Sequence, residues 1–290
     1  MKHAFCAGIL AASLAMPAFA QDEAPADFMS AFRQVIPHVM AGDWESALAP
    51  AETALALADT PMDRYRIRHM LTDINARLGY WEATGRYARQ AADVIHGDAE
   101  LAATRMVMAS HMAAEEARAA WHPGDTARLA DANARMLRDH PEASPGWQVQ
   151  GDQGARHMQG LQCPLFIADH LRFDVYGGSE GDPACLYWNH EDIGLRLTQG
   201  SHASAEAERM GETYPDLQST RFEIVTTGTG ENAPLTSWSL GASRPGTPEQ
   251  FAMTLEHPLQ PWTVTVQYPA GQDAAARAVL LQAFVSQQPD

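Results

Sequence analysis

The sequence predicts an α+β protein of two domains, with a helical N-terminal half and a C-terminal half built on an antiparallel sheet. From about residue 26 to residue 140, apolar residues recur at three- and four-residue spacing and alanine is abundant, a pattern typical of amphipathic helices. Beyond residue 140, short stretches alternate apolar and polar residues with a period of two, which indicates strands. The predicted segments are a signal peptide (1–20), a helical-repeat domain (21–140), a linker or domain entry (141–162) and an α+β domain (163–290).

The first segment has the layout of a secretory signal peptide. Lys2 and His3 precede an apolar stretch over residues 4–14, and the small-residue pattern Ala18-Phe19-Ala20 follows. The apolar stretch is too short to span a bilayer. We therefore expect cleavage after Ala20 and export of the mature chain to the periplasm or the outside of the cell.

The composition excludes several kinds of chemistry. Lys2 is the only lysine, so removal of the leader changes the net charge from −16 to −16 − 1 = −17. A mature chain without lysine has neither a Schiff-base lysine nor the lysine of a phosphate-binding P-loop. Its acidic charge disfavours nucleic acid and anionic membranes as partners, since both are bound by neutralising phosphate.

The segment TPMDRYRIRHMLTDINARLG shows how the helical half is specified. Thr60 suits the N-cap, Pro61 suits the first helical position, and Gly79 ends the helix. Between them one apolar stripe runs along the helix, formed by Ile67, Leu71, Ile74 and Leu78. Similar segments on either side predict about three helical hairpins in this half.

Two of these hairpins share a turn motif. GDWESA begins at Gly42 and GYWEA begins at Gly79, which places Trp44 and Trp81 37 residues apart. A helix–turn–helix unit repeated at this period is typical of a solenoid. The chain resembles tetratricopeptide repeats here, and a weaker third unit starts at Gly124-Asp125. The small residues that this family places between adjacent helices correspond to Ala47, Ala51, Ala54, Ala88 and Ala91.

The match to that family is incomplete. The first helix of each unit lacks its Leu-Gly and aromatic hallmarks, and Ala51 and Ala88 stand where an aromatic residue is usual. A generic array of α-hairpins therefore stays open as the alternative. The resemblance implies an extended concave surface lined by the first helix of each unit.

The C-terminal half alternates between strand and helix patterns. Period-two patterns predict strands over 171–176, 193–198, 221–225, 251–255 and 262–268. Helical patterns occupy residues near 202–213 and 273–287. Strands in runs with two helices predict an antiparallel sheet covered on one face.

Two cysteines, Cys163 and Cys185, remain after the leader is removed. An even number in an oxidising compartment favours a disulfide over a free nucleophile or a metal pair. This half is similar to uncharacterised exported bacterial domains. It shares with them a Cys-Pro opening, a strand-borne cysteine about twenty residues later and a terminal helix. The order of its elements also resembles the PsbP/Mog1-like fold, which implies shape only.

The sequence predicts no catalytic residues, metal or cofactor. His190 and Asp192 are weak metal candidates, but they flank Glu191 in a predicted turn, where consecutive side chains diverge. The pattern G-x-S-x-G occurs at 177–181 (GGSEG), but it stands in an acidic, glycine-rich loop without the strand-to-helix context of a nucleophile elbow. A polar hairpin turn beside the disulfide is the expected structure there.

One group of residues suggests a binding surface. Arg64, Arg68 and Asn75 share a stripe of the Met62–Leu78 helix, and Arg86 and Arg89 follow on the next helix. Arginine forks bind carboxylates, so we predict that these residues bind an acidic group of a protein partner. In the alternative, they are solubilising cations balanced by Asp63, Asp73 and Glu82.

The function expected from these features is that of a non-enzymatic protein-binding or scaffold protein of the bacterial cell envelope. One alternative is an envelope enzyme with a site between the halves. Its first candidate catalytic residues are His157, His170, His190 and Asp192. The other is a small-ligand carrier in which Trp188 and Trp262 line an apolar groove of the C-terminal domain. Partner identity and oligomeric state are left open.

Overall fold

The fold class predicted from the sequence is confirmed by a computed structural model. It describes residues 25–140, 145–177, 182–189, 193–199, 249–255, 262–283 and 286, together with the backbone of 218–225, 232–242, 256 and 284–285. The chain divides into two compact units, one ending at Gly124 and the other beginning at Asp125. We call them the helical unit and the sheet unit.

Five α-helices are present in the described part of the helical unit, residues 25–124. They are α1 (Phe28–Ala41), α2 (Trp44–Ala56), α3 (Pro61–Leu78), α4 (Trp81–Gly97) and α5 (Ala99–Trp121). Each helix packs against the next one along the chain. Contacts also join α1 to α3 and α3 to α5, so the odd-numbered helices are neighbours.

Local caps determine where these helices begin and end. The Asp27 and Asp43 carboxylates each accept a backbone N–H in the first turn of their helix. Thr60 Oγ1 accepts the N–H of Asp63 at 3.1 Å, as the N-cap prediction required. Gly42 and Gly79 end α1 and α3 in the left-handed conformation, with φ of 70° and 75°.

Alanine provides the close packing of the helical unit. Ala47, Ala51 and Ala54 on α2 are completely buried against the apolar stripe of α3. On α4, Ala88 and Ala91 are likewise completely buried. Side chains of this size allow helix backbones to approach closely, which explains the small residues at repeated positions.

The two repeated tryptophans occupy equivalent environments. The Arg77 guanidinium, at the end of α3, lies 5.4 Å from the ring centroid of Trp44. The His122 ring, just after α5, stacks on Trp81 with centroids 3.6 Å apart. In both cases the first residue of an even-numbered helix contacts a basic residue at the end of the following odd-numbered helix.

The sheet unit begins with α6 (Thr126–Asp139), which the sequence analysis grouped with the helical half. This helix packs against β1 and β5, and its Leu137 belongs to the core of the sheet unit. A small antiparallel sheet follows in the segment 147–164. Its strands are β1 (Trp147–Val149), β2 (Gly154–His157) and β3 (Gln162–Pro164).

An eight-stranded antiparallel sheet forms most of this unit, in the order β4-β5-β6-β7-β11-β10-β9-β8. Its strands are β4 (Phe166–Ile167), β5 (His170–Tyr176), β6 (Ala184–Trp188), β7 (Gly194–Gln199), β8 (Gln218–Val225), β9 (Asn232–Ala242), β10 (Glu249–Glu256) and β11 (Trp262–Pro269). All five predicted strands are present. The C-terminal helix α7 (Asp273–Ser286) packs on β4, β7, β10 and β11.

The predicted disulfide is confirmed. Cys163 on β3 and Cys185 on β6 are bonded, with their Cα atoms 6.3 Å apart, and both are buried. The bond ties the small sheet to the large one beside Leu165 and Tyr187, two of the largest fully buried side chains. Outside the described residues lie the predicted leader, the predicted helix near 202–213 and the turn containing His190 and Asp192.

Candidate functional site

Two of the predicted binding arginines lie side by side on α3. Arg64 donates from Nη1 to the carbonyl oxygen of Asp59 at 2.7 Å. The Nε atom of Arg68 is buried and has no hydrogen-bond partner among the described residues. Burial lowers the pKa of Arg68 and the positive charge of Arg64 lowers it further, while Asp93 acts in the opposite direction.

Arg86 joins this pair through a tyrosine of α4. Its guanidinium lies 5.0 Å from the ring centroid of Tyr87, within the range of a cation–π interaction. The same tyrosine is one of the electrostatic neighbours of Arg68. We call Arg64, Arg68 and Arg86 the arginine patch. Among the described residues, none of the three is paired with a carboxylate.

The other two predicted binding residues make contacts within the helical unit. Asn75 is 3% exposed, and its Nδ2 donates to the carbonyl oxygen of Leu71 at 2.7 Å. Arg89 on α4 forms an ion pair with Glu116 on α5, whose side chain is 1% exposed, and donates from Nε at 2.8 Å. These contacts stabilise α3 and join α4 to α5. Half of the Arg89 side chain is exposed, but its guanidinium is already paired with Glu116.

A second polar group runs across the α3 and α5 pair. On α3, three ionisable residues follow one another at intervals of four positions. On α5, three more follow at intervals of four and then three positions. We call this group the α3–α5 cluster; its members are His69, Asp73, Arg77, His111, Glu115 and Arg118. The cluster was not predicted from the sequence, although the three- and four-residue spacing of its members was a usable signal.

Burial gives the α3–α5 cluster unusual acid–base properties. It raises the pKa of Glu115, and the guanidinium of Arg118, with Nε 3.5 Å from Glu115 Oε2, only partly offsets this. Burial also lowers the pKa of His69, partly offset by Asp73 and reinforced by His111. Both shifts favour the uncharged form, so at a given pH a larger fraction of the chains has a protonated Glu115 and a neutral His69 than the same groups would show in water.

The histidines suspected from the sequence are buried in the sheet unit. His157 is 1% exposed, packs against Trp147 at 4.9 Å and accepts the N–H of Gln159 through Nδ1. His170 is also 1% exposed, with Nδ1 2.9 Å from a carboxylate oxygen of Asp169. Both residues therefore contribute to the interior of the fold.

The tryptophans of the predicted carrier groove differ in environment. Trp262 is 5% exposed and belongs to the hydrophobic core of the sheet unit. Trp188 is partly exposed on β6. Core packing accounts for the burial of Trp262.

The sheet unit contains a buried cation that the sequence analysis also missed. Arg172 is completely buried and donates from Nη1 to the carbonyl oxygen of Cys163 at 2.9 Å and from Nη2 to Oδ1 of Asn133 on α6. Burial lowers the pKa of Arg172 to about 10 and raises that of its cross-strand neighbour Tyr187. Since its partners hold together α6 and both sheets, Arg172 acts as a structural link.

Neither unit offers a site for a metal among the described residues, where no three His, Cys, Asp or Glu side chains converge on one point. Within the same ranges, no helix combines the length and hydropathy needed to cross a bilayer. Comparison of the chain with protein-family models, curated proteins and solved structures gives no significant match.

Proposed function

We propose that this protein is exported to the cell envelope and binds an acidic segment of a protein partner through the arginine patch of its helical unit. The leader-like residues 1–20 and the disulfide support the proposed export, because disulfides persist in oxidising compartments. The helical unit would then be a divergent, tetratricopeptide-like array, and the sheet unit, with its PsbP/Mog1-like order of elements, an accessory domain.

The proposal rests mainly on one observation: the Nε atom of Arg68 is buried and has no hydrogen-bond partner among the described residues. The whole chain has 36 acidic residues against 20 basic ones, so an arginine has many possible intramolecular partners. Nevertheless Arg68 lies near Arg64 and Tyr87, and Arg86 lies over the Tyr87 ring. None of these three arginines is paired with a carboxylate among the described residues. A buried guanidinium N–H without an acceptor costs free energy, which an incoming carboxylate would recover through a charge-assisted hydrogen bond.

Binding of labelled acidic peptides tests the proposal. Fluorescence anisotropy would be measured with dodecapeptides rich in Glu and Asp, against Ser-rich peptides of the same length, in 150 mM salt (about physiological). We expect the double variant Arg64→Glu/Arg68→Glu to weaken acidic-peptide binding by at least about tenfold, equivalent to about 1.4 kcal/mol. The Ser-rich peptides should bind neither protein.

The matched control changes two exposed arginines of the helical unit that lie outside the arginine patch. Arg33→Glu/Arg66→Glu alters the net charge by the same amount, and one of its positions lies on α3 between the two tested residues. This control should retain binding within about twofold, equivalent to about 0.4 kcal/mol. Equal loss in both variants would mean that only the net charge matters, and the arginine patch would then be rejected as the site.

The α3–α5 cluster favours a second candidate function, that of an enzyme using acid–base chemistry. A neutral imidazole and a protonated carboxyl group are the forms that a general base and a general acid require. Screening the intact mature chain with chromogenic esters, phosphates and glycosides tests this candidate. Any turnover should be lost in Glu115→Gln and His69→Asn and retained in Arg64→Glu; turnover that survives the first two variants would exclude the cluster.

A further inference from the structure

One edge of the large sheet is long and regular. At one end of the strand order, β4 has two residues, whereas β8 at the other end has eight. β8 pairs with β9 over its whole length, from Gln218↔Ser239 to Val225↔Asn232, without a register shift. Among the described strands nothing pairs with its other side. An unpaired strand edge is a template for another strand.

Three of the features that block such an edge, namely proline, lysine and a β-bulge, do not occur in β8. Its sequence, QSTRFEIV, contains no proline and no lysine, and its pairing shows no bulge. Arg221 and Glu223 are its only charged residues, and they have opposite signs. A regular edge of this composition is suited to pairing and needs a partner whose charges complement it.

The β8 sequence complements itself in one antiparallel register. If Phe222 pairs with Phe222 of a second copy, Arg221 of each copy stands opposite Glu223 of the other, so both charged positions meet an opposite charge. Moving the register by two residues places Arg221 opposite Arg221, or Glu223 opposite Glu223. Moving it by one residue leaves every charge opposite an uncharged residue. Cross-strand pairs of opposite charge and aromatic pairs favour association, whereas like charges oppose it.

We propose that two copies of this chain associate through their β8 strands, antiparallel and about a two-fold axis at Phe222, so that their large sheets form one continuous sheet. Two-fold pairing of the same surface is the commonest form of homo-oligomer. The proposal is independent of the peptide-binding function, because it involves the sheet unit and none of the residues of the arginine patch.

Charge reversal within β8 tests the proposed register. Sedimentation velocity of the mature chain in 150 mM salt (about physiological) should show a dimer. Arg221→Glu alone puts Glu opposite Glu, and Glu223→Arg alone puts Arg opposite Arg, so each single variant should sediment as a monomer. An equimolar mixture of the two variants should form a heterodimer, and the double variant Arg221→Glu/Glu223→Arg should form a dimer again.

The same experiment includes a control variant, and two of its possible results would contradict the proposal. Arg156→Glu, at an exposed position of β2, changes the charge equally and should leave the dimer intact. A monomeric wild-type chain at about 100 μM (a Kd of 1 μM corresponds to about −8.2 kcal/mol) would overturn the proposal. A dimer that persists in both single variants would do the same, since it would use another surface.

A cysteine at the two-fold axis provides a readout that does not depend on the charge variants folding. Phe222→Cys should form a disulfide between two copies under mild oxidation, because directly opposite residues of antiparallel strands have Cα atoms about 4.5–5.5 Å apart. The native cysteines are already bonded to each other. Failure of this variant to cross-link, while it remains folded by circular dichroism, would contradict the proposed pairing.

Discussion

Arg172 shows at the level of a single residue how the sheet unit accommodates a charge in its interior. A fully buried guanidinium is costly unless its N–H groups find acceptors. Here the carbonyl oxygen of Cys163 and the amide oxygen of Asn133 accept two of them. Asn133 in turn donates from Nδ2 to the carbonyl oxygens of Gly151 and Gly154, each at 2.6 Å. One side chain therefore connects α6, the β1–β2 turn and β3.

Removing this link should destabilise the sheet unit. Arg172→Met keeps much of the side-chain volume but leaves buried acceptors without donors, so we expect a loss of roughly 3 kcal/mol in the free energy of unfolding. Urea unfolding monitored by circular dichroism measures it. Arg156→Met, at an exposed position of β2, should change the stability by less than about 0.5 kcal/mol. Similar values for the two variants would contradict the structural role of Arg172.

Tyr268 should make the sheet unit sensitive to alkali. Burial, followed by the neighbouring Asp273, raises the pKa of Tyr268 to about 12, whereas an unfolded tyrosine titrates near about 10. Since the folded chain holds this proton more tightly, the contribution of Tyr268 to stability is complete below about pH 10 and is lost as pH rises towards 12. Arg172, whose pKa is lowered, acts in the opposite direction over the same range.

Comparison with a phenylalanine variant isolates the effect of Tyr268. Tyr268→Phe should show a smaller fall in melting temperature between pH 9 and pH 11.5 than the wild-type chain, because one titrating group is removed while Arg172 is retained. Differential scanning calorimetry at intervals of about half a pH unit measures this. Parallel curves for the two proteins would show that Tyr268 keeps an ordinary pKa.

At the level of the element, helix α3 was predictable because its signals are local. Thr60, Pro61 and Gly79 lie within one helix length of each other, and the cap and the left-handed glycine are present as expected. The strands β1 to β3 were not predicted, because three or four residues are too few to display a period of two. Helix α6 resembled its neighbours in sequence, but its packing against β1 and β5 depends on residues distant in the chain.

The capping interaction of α3 can be tested at its first residue. Thr60→Ala removes the oxygen that accepts the N–H of Asp63, so we expect a loss of about 1 kcal/mol in unfolding free energy. Thr104→Ala is the matched control, because Thr104 lies in the interior of α5 and donates to the carbonyl oxygen of Glu100. Urea unfolding of the control should show little loss; equal losses would mean that Thr60 does not act as a cap.

The disulfide between β3 and β6 gives a prediction that depends on redox conditions. Its cysteines are 22 residues apart, and closing a loop of that length stabilises the folded chain by about 3 kcal/mol. Replacing both cysteines with serine should lower stability by that order in oxidising buffer. In reductant strong enough to open the bond, the wild-type and variant chains should approach each other in stability, and a gap that persists unchanged would mean that packing of the sulfur atoms dominates.

At the level of the whole molecule, the candidate site was partly predictable. The spacing of Arg64 and Arg68 placed them on one stripe of α3, and the structure puts them together. The ion pair of Arg89 could not be predicted from the sequence of α4 alone, because its partner Glu116 lies 27 residues away on α5. The α3–α5 cluster was overlooked for a similar reason: burial, which shifts the pKa values of His69 and Glu115, arises only when the two helices pack.

Site-specific photo-crosslinking in cells tests the central claim of partner binding most directly. A photoreactive residue replacing Arg86 lies within the arginine patch, and one replacing the exposed Gln34 of α1 is the matched control. We predict one discrete adduct from position 86 whose partner contributes an acidic segment, and its disappearance in the Arg64→Glu/Arg68→Glu background. The same adducts from both positions, or an adduct unchanged by the charge reversal, would contradict the assignment of the arginine patch as the binding site.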